Sequence, residues 1–269
     1  QRKSVRMKAK VNGIELNYEV SGNPDKPWLT FSNSLATNMH MWDEQAKLLA
    51  DDYHILRYDK RGHGESEKVP GPYHFDDLID DMVALWDHLG IDQTYYVGLS
   101  IGGMTVQGIM LKHPERLKAV VIANSMGVVP PEFVNAWGDR IKLCQEKGMA
   151  PLIQPTMERW FTEEYRKKET PEAQFISDMI ASTSVEGYAG CAAAIQKLNY
   201  LDDLGKISGI PVLFIAGSQD GGTPAPGVEA MHRNMPGSEY LLLDPAAHIS
   251  NVECPEAFNE AITGFLAKH

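Results

Sequence analysis

The sequence predicts an α/β fold: a mainly parallel eight-stranded sheet with flanking helices and a helical segment inserted late in the chain. Three observations predict it. Short apolar runs rich in β-branched residues alternate with stretches of helical periodicity. Most of these runs are apolar on both faces, as strands covered by helices on both sides must be. The alternation then lapses from Val128 to about Leu201, where helical spacing continues without convincing strands, and afterwards resumes.

Residues 7–11 and 14–20 alternate apolar and polar around Asn12-Gly13, the signal of a two-residue hairpin. Residues 22–27 read as a loop, 28–32 as a short buried strand and 41–49 as a helix. Residues 54–58 form another buried strand, ending in Asp59-Lys60-Arg61-Gly62-His63-Gly64-Glu65-Ser66. A helix over 75–89 places Leu78, Ile79, Met82, Leu85 and Trp86 on one stripe and stops at Gly90. Tyr95-Tyr96-Val97-Gly98-Leu99-Ser100-Ile101-Gly102-Gly103 then reads as a strand, an abrupt elbow and a helix running to His113. Residues 117–123 are again a continuous apolar strand. Pro130-Pro131 breaks the chain, and Trp137, Ile141, Met157, Trp160 and Phe175 supply the stripes of the helical insertion. Strands return at 211–216 and 240–243, and a last helix over 255–267 turns Phe258, Ile262 and Phe265 inward. The expected organisation is a core of residues 1–127 and 205–269 with an inserted helical cap, 128–204, over the carboxyl edge of the sheet.

Composition narrows the function. At 269 residues, 43% hydrophobic and 23% charged, the chain can bury a sizeable core. A net charge of −11 argues against nucleic acid and anionic membrane surfaces as partners. No apolar run approaches the ~18 residues of a membrane span, and no signal-peptide pattern opens the sequence, so a cytoplasmic protein is expected. The polar, basic start from Gln1 to Arg6 reads as frayed. Cys144, Cys191 and Cys254 are odd in number and form no CxxC pair, which favours reduced thiols. No pair of histidines has metal-ligand spacing, so neither metal nor cofactor is expected. Gly98 to Gly103 lacks the GxGxxG spacing of a dinucleotide site. A homo-oligomer is left open.

The chemistry centres on Ser100. Gly98 and Gly102 fall where a side chain would collide across the turn, which leaves the serine strained and exposed, with the N–H of Ile101 opening a helix. A chance Gly-Ser-Gly turn is the plain alternative; the strand before and the helix after favour a nucleophile. A serine hydroxyl needs a base, and the base needs an orienting acid. On an elbow of this kind the order along the chain is Ser, acid, His. Asp220 follows the 211–216 strand, where its plain alternative is to cap the helix that begins near Pro224. His248, after the last strand and ahead of a helix, alone among nine histidines sits correctly for the base. His63 is explained by its turn, and His40 by the surface or the rim of the site. A second oxyanion donor is expected from loop 32–37, with the backbone N–H of Leu35 paired to that of Ile101.

Ser32-Asn33-Ser34-Leu35, Met41-Trp42-Asp43-x-Gln45, Arg57-Tyr58-Asp59-x-Arg61-Gly62-His63-Gly64-x-Ser66 and Gly98-Leu99-Ser100-Ile101-Gly102-Gly103 together form a recognisable pattern. Arg159-Trp160-Phe161-Thr162, Gly187-Tyr188-Ala189-x-Cys191 and Ala247-His248-Ile249-Ser250-Asn251 continue it to the end of the chain. The chain resembles the 3-oxoadipate enol-lactonases within the α/β-hydrolase superfamily. The triad and the 59–66 turn are shared widely and say little about substrate; the Asn33-Ser34-Leu35 loop and the strings from 159 onward discriminate more. Three places depart from the family pattern: Ala36 where glycine is expected, Asn124-Ser125-Met126, and Asp220-Gly221-Gly222-Thr223; the first two are expected to face the site.

The resemblance implies a serine hydrolase opening a small anionic enol-lactone to 3-oxoadipate in aromatic catabolism, along the β-ketoadipate route. Trp137 and Arg140, one helical turn apart, stand where the family pattern has a Trp and an Arg, and are the candidates to receive the substrate carboxylate. The alternative makes Trp137 part of the cap core and Arg140 a solvated charge, with Arg159 as the competing cation. Two other readings share the scaffold: a broader carboxylesterase or lactonase for neutral esters or acyl-homoserine lactones, and a hydrolase-like receptor with negligible turnover.

Overall fold

Strands that are apolar on both faces pair only where helices cover both sides, and the architecture follows that requirement. The computed structural model describes residues 5–269. Its strands are β1 (Val5–Val11), β2 (Ile14–Gly22), β3 (Trp28–Ser32), β4 (His54–Tyr58), β5 (Thr94–Leu99), β6 (Leu117–Ala123), β7 (Val212–Gly217) and β8 (Glu239–Leu243). They form one eight-stranded sheet in the order β1-β2-β4-β3-β5-β6-β7-β8. The β1–β2 and β2–β4 pairings are antiparallel, and the remaining five are parallel. Every residue of β5 and β7 is buried. Asn12-Gly13 closes the first hairpin with φ of 50° and 77°, the left-handed pair that such a tight turn needs.

Helices α1 (Asp43–Leu49), α2 (Phe75–His88) and α3 (Ile101–Lys112) follow β3, β4 and β5. Between β6 and β7 come α4 (Pro131–Lys147), α5 (Ala150–Trp160), α6 (Glu163–Lys167), α7 (Pro171–Ser182) and α8 (Val185–Gln196). Then α9 (Ala225–Asn234), the short α10 (Ser250–Glu253) and α11 (Pro255–Ala267) complete the chain. The stripe expected on α2 is buried throughout: Leu78, Ile79, Met82, Leu85 and Trp86. One expectation needs correcting at the start of the chain. Residues 1–4 lie outside the described residues, but Arg6 is part of β1, where its Nε donates to Glu19 at 2.9 Å, so the strand begins earlier than the polar composition suggests. Among the described residues no helix is long and apolar enough to cross a membrane.

The inserted helices touch the turn after β4 through backbone. A Cβ built on Gly187, in α8, would lie 2.0 Å from the Gly62 carbonyl oxygen, and one on Gly62 would lie 2.3 Å from Gly187 Cα. Ser184 Oγ donates to that same carbonyl at 2.7 Å while capping α8 through Gly187 N–H. Two glycines are therefore required at one crossing. Gly187→Ala is expected to destabilise the protein by at least about 2 kcal/mol, because neither partner is a flexible side chain that can give way; the midpoint of denaturant unfolding measures this.

Candidate active site

Ser100 occupies φ 57°, ψ −118°, a backbone region that a residue with a side chain adopts only when its surroundings hold it there. The glycines flanking it show why the turn can be so tight. A Cβ on Gly98 would lie 2.6 Å from the Gly102 carbonyl carbon, and one on Gly102 would lie 2.2 Å from the Ser32 carbonyl oxygen. Ser100 N–H donates to Ala123 O at 3.0 Å, and Ser100 O accepts from Ser125 Oγ at 2.8 Å and from Met104 N–H at 2.9 Å. The elbow is tied to the end of β6 and to the loop that follows it.

Asp220 and His248, 28 residues apart, meet with Oδ2 2.9 Å from Nδ1. Asp220 does not cap α9, whose N-cap is Pro224. Its Oδ1 accepts from the N–H groups of Gly222 (2.9 Å) and Thr223 (3.0 Å), and its Oδ2 from Thr223 Oγ1 at 2.8 Å. Asn124 Nδ2 adds a longer bond at 3.3 Å and holds Ala247 O at 2.9 Å. Burial alone would raise the Asp220 carboxyl, but His248 and the Thr223 donors outweigh it and hold the group below its usual range. Two of the departures from the family pattern thus converge on this carboxylate. Asn124, at φ 47°, receives Ser250 Oγ on its Oδ1 at 2.6 Å. Thr223 Oγ1 lies 3.2 Å from His248 Nδ1 and lines the same cavity.

The loop after β3 is held from beneath by the 59–66 turn. Ala36, where glycine was expected, sits at φ 62°, so the left-handed conformation is kept without the residue that adopts it most easily. Its N–H donates to His63 Nε2 at 3.0 Å, while His63 Nδ1 faces Arg61 O at 3.0 Å. Those partners define the tautomer: Nδ1 carries the proton and Nε2 accepts. Burial, with Lys60 nearby, pushes His63 down to about 3. Lys60 is itself buried, which lowers it to about 8, and its Nζ donates to Asn33 O at 2.6 Å. His63 is therefore more than a turn residue. The sequence held a signal for it, the unusual Ala36, but nothing that linked two residues so far apart. Among the described residues, the N–H groups of Leu35 and Ile101 meet no acceptor.

One cavity gathers most of these groups. Ser34, Leu35, Ser100, Gly222, Thr223 and His248 line it from the sheet side; Trp137, Arg140, Thr156, Arg159, Trp160 and Tyr188 line it from the inserted helices. Ile101 is fully buried and outside the lining. Ala36 is outside the lining as well, contrary to expectation, whereas Gly222 and Thr223 are inside it. His40 bonds Asp43 at 2.9 Å and belongs elsewhere. Arg140 stacks its guanidinium 4.6 Å over Trp137. Burial lowers Arg140, and burial with repulsion from Arg140 lowers Arg159 to about 10. Among the described residues neither guanidinium forms a salt bridge with a carboxylate, although the chain carries 36 Asp and Glu. Arg159 donates to Thr156 Oγ1 at 3.2 Å.

The backbone of the His248 loop is bonded to the inserted helices. His248 and Ile249 N–H both donate to Trp160 O, at 2.9 and 3.2 Å. Glu253 accepts from Thr162 Oγ1 at 2.5 Å and from Ala247 N–H at 3.2 Å. Two sequence strings that discriminate the family, 159–162 and 247–251, are thus one contact in space.

A strand-elbow-helix serine under inserted helices, on an eight-stranded mainly parallel sheet, defines a class. A family model described as alpha/beta hydrolase fold matches residues 27–255, and the chain belongs to that family. It is 39% identical to 3-oxoadipate enol-lactonase 2 of Acinetobacter baylyi over 95% of this chain and 94% of that protein. To 3-oxoadipate enol-lactonase 1 of the same organism it is 32% identical over 94% of each. The solved enol-lactonase of Burkholderia xenovorans LB400 superposes with a TM-score of 0.93 at 34% identity, covering 97% of this chain and 100% of that one. The protein is an ester-hydrolysing enzyme.

His63 gives this site a measurable signature. Its folded pKa of about 3 lies below the ordinary 6.5, so the unfolded chain takes up a proton that the folded one refuses across that window. Stability contributed by neutral His63 is complete above pH 6.5 and declines as pH falls toward 3. His63→Gln removes the titration, and its plot of unfolding free energy against pH between 6.5 and 4 is expected to be shallower than that of the wild type. Parallel plots would assign the window to other groups.

Proposed function

We propose that the protein opens 3-oxoadipate enol-lactone to 3-oxoadipate through an acyl-enzyme on Ser100. The observation that carries this reading is the pair of guanidiniums, Arg140 and Arg159, in the cavity that also holds Ser100 and His248. In a chain of net charge −11, two half-buried cations that form no salt bridge among the described residues are an arrangement suited to an anionic ligand. The enol-lactone supplies a carboxylate, and Trp137 with Tyr188 supplies an aromatic wall for the flat ring.

In the mechanism, Ser100 Oγ attacks the lactone carbonyl while His248 Nε2 takes its proton. The oxyanion is received by the N–H groups of Leu35 and Ile101, the latter at the positive end of α3. Collapse breaks the ring C–O bond, and His248 returns the proton to the enol oxygen, which remains tethered through the acyl chain. Water then attacks the acyl carbon with His248 as base, Ser100 leaves, and the free enol tautomerises to the ketone. Asp220 holds the imidazole in the Nδ1–H form and stabilises its cation. Residues 128–204 act as a cap that supplies the recognition side chains, and residues 1–127 with 205–269 form the core that supplies the reacting ones.

Ser100→Ala is expected to fold normally by circular dichroism and to lose at least about 10³-fold in kcat on the enol-lactone, followed by loss of its ultraviolet absorbance. An active variant would put the nucleophile elsewhere, and wild-type kcat/KM on a neutral p-nitrophenyl ester equal to that on the lactone would favour the general esterase. Arg140→Ala is expected to raise KM for the anionic lactone by about 10-fold or more while leaving the neutral ester nearly unchanged. Equal loss on both substrates would assign Arg140 to packing.

A further inference from the structure

The loop that carries Leu35 contains a hydrogen-bond chain whose direction is fixed. Asn33 Nδ2 donates to Thr37 Oγ1 at 2.8 Å, and Thr37 Oγ1 donates to Ser34 O at 2.6 Å. Asn33 Nδ2 also approaches Ser34 O at 3.4 Å. The orientation of that side-chain amide follows from its neighbours, since reversing it would set Oδ1 against the Ser34 carbonyl. Asn33 Oδ1 has no hydrogen-bond partner, so the amide acts here only as a donor. Lys60 Nζ, donating to Asn33 O at 2.6 Å, fixes the start of the chain from the buried side. All three side chains are buried, with Asn33, Thr37 and Lys60 at 0%, 1% and 3% exposure.

The chain ends on the carbonyl of the Ser34–Leu35 peptide, whose other end is the N–H of Leu35. Donation to an amide oxygen draws electron density from the nitrogen and makes the N–H a stronger donor, and bonds in a row polarise one another in a low-dielectric interior. Such help matters most when the N–H faces a full negative charge, as in the tetrahedral intermediate, and least when it faces a neutral carbonyl. We propose that Thr37 is a positioning residue for ester hydrolysis, its hydroxyl both fixing and polarising the Leu35 N–H that receives the oxyanion. This rests on the reading of Ser100 as nucleophile and Leu35 as oxyanion donor. Thr37 does not line the cavity and touches no substrate, so its effect passes entirely through the peptide.

The test compares wild type, Thr37→Val and Thr37→Ser on the enol-lactone, together with inhibition by a small alkylboronic acid, which binds serine hydrolases as a tetrahedral adduct. Thr37→Val keeps the shape and removes the hydroxyl. It is expected to lower kcat about 10-fold, a part of the 10²–10³ carried by a whole oxyanion donor, with KM within about two-fold. Boronic acid affinity should fall by the same factor as kcat, and Thr37→Ser should recover kcat to within about three-fold of wild type. A residue that only stabilises the loop would lower thermal stability without this selective loss in kcat. Unchanged kcat in Thr37→Val, a loss confined to KM, or equal loss in the valine and serine variants would overturn the proposal. If the valine variant does not fold, Thr37→Ala carries the same comparison. Ser100→Ala measured alongside separates the levels. Activity there removes the nucleophile reading and this proposal with it, whereas an inactive Ser100→Ala beside an unaffected Thr37→Val removes the proposal alone.

Discussion

The site depends on the missing side chains at Gly98 and Gly102. With any Cβ at either place, strand β5 and helix α3 could not meet at so sharp an angle, and Ser100 would not be raised at the sheet's edge. A non-glycine residue held at φ 57° costs on the order of 1–3 kcal/mol. Hydrogen bonds from the Ser100 main chain to Ala123, Ser125 and Met104 offset that strain, so the elbow is secured by β6 and α3 and not by its own preference. Among the described residues, the same arrangement leaves the Ile101 N–H at the start of α3 without an acceptor, where the proposed mechanism places the oxyanion.

Charge is handled in the opposite sense on the two sides of the cavity. From the sheet side, donors converge on Asp220 and keep it ionised beside His248. From the inserted helices, two arginines line the cavity beside Trp137 and Tyr188, with the Arg140 guanidinium over the Trp137 ring. Because the protein's global field is negative, the anion of the proposed reaction would feel these half-buried cations mainly at short range.

Much of this was legible in the sequence because it depends on local pattern. The eight strands followed from runs of β-branched residues and turn signals, and Gly98-x-Ser100-x-Gly102 carries its own steric logic. Asp220 and His248 could be picked out because each follows a strand, and strand ends share one edge of a parallel sheet. What sequence could not supply was partnership across long separations. His63 holding Ala36, Asn124 reaching Asp220, and the 159–162 string meeting 247–251 are contacts that no periodicity encodes. The departures from the family pattern marked two of these places without saying what they touched. Arg159, whose role sequence reasoning left open beside Arg140, shares the cavity with it because α4 and α5 bring both toward Tyr188.

The Trp160 carbonyl has a mechanical consequence. It accepts from the main chain of both His248 and Ile249, and Glu253 fastens Thr162 to Ala247 just beyond. The end of α5 and the imidazole therefore ride on one latch. A swing of the insertion that lifted this corner would carry the imidazole with it, and under the proposed mechanism would disarm the enzyme while it stood open.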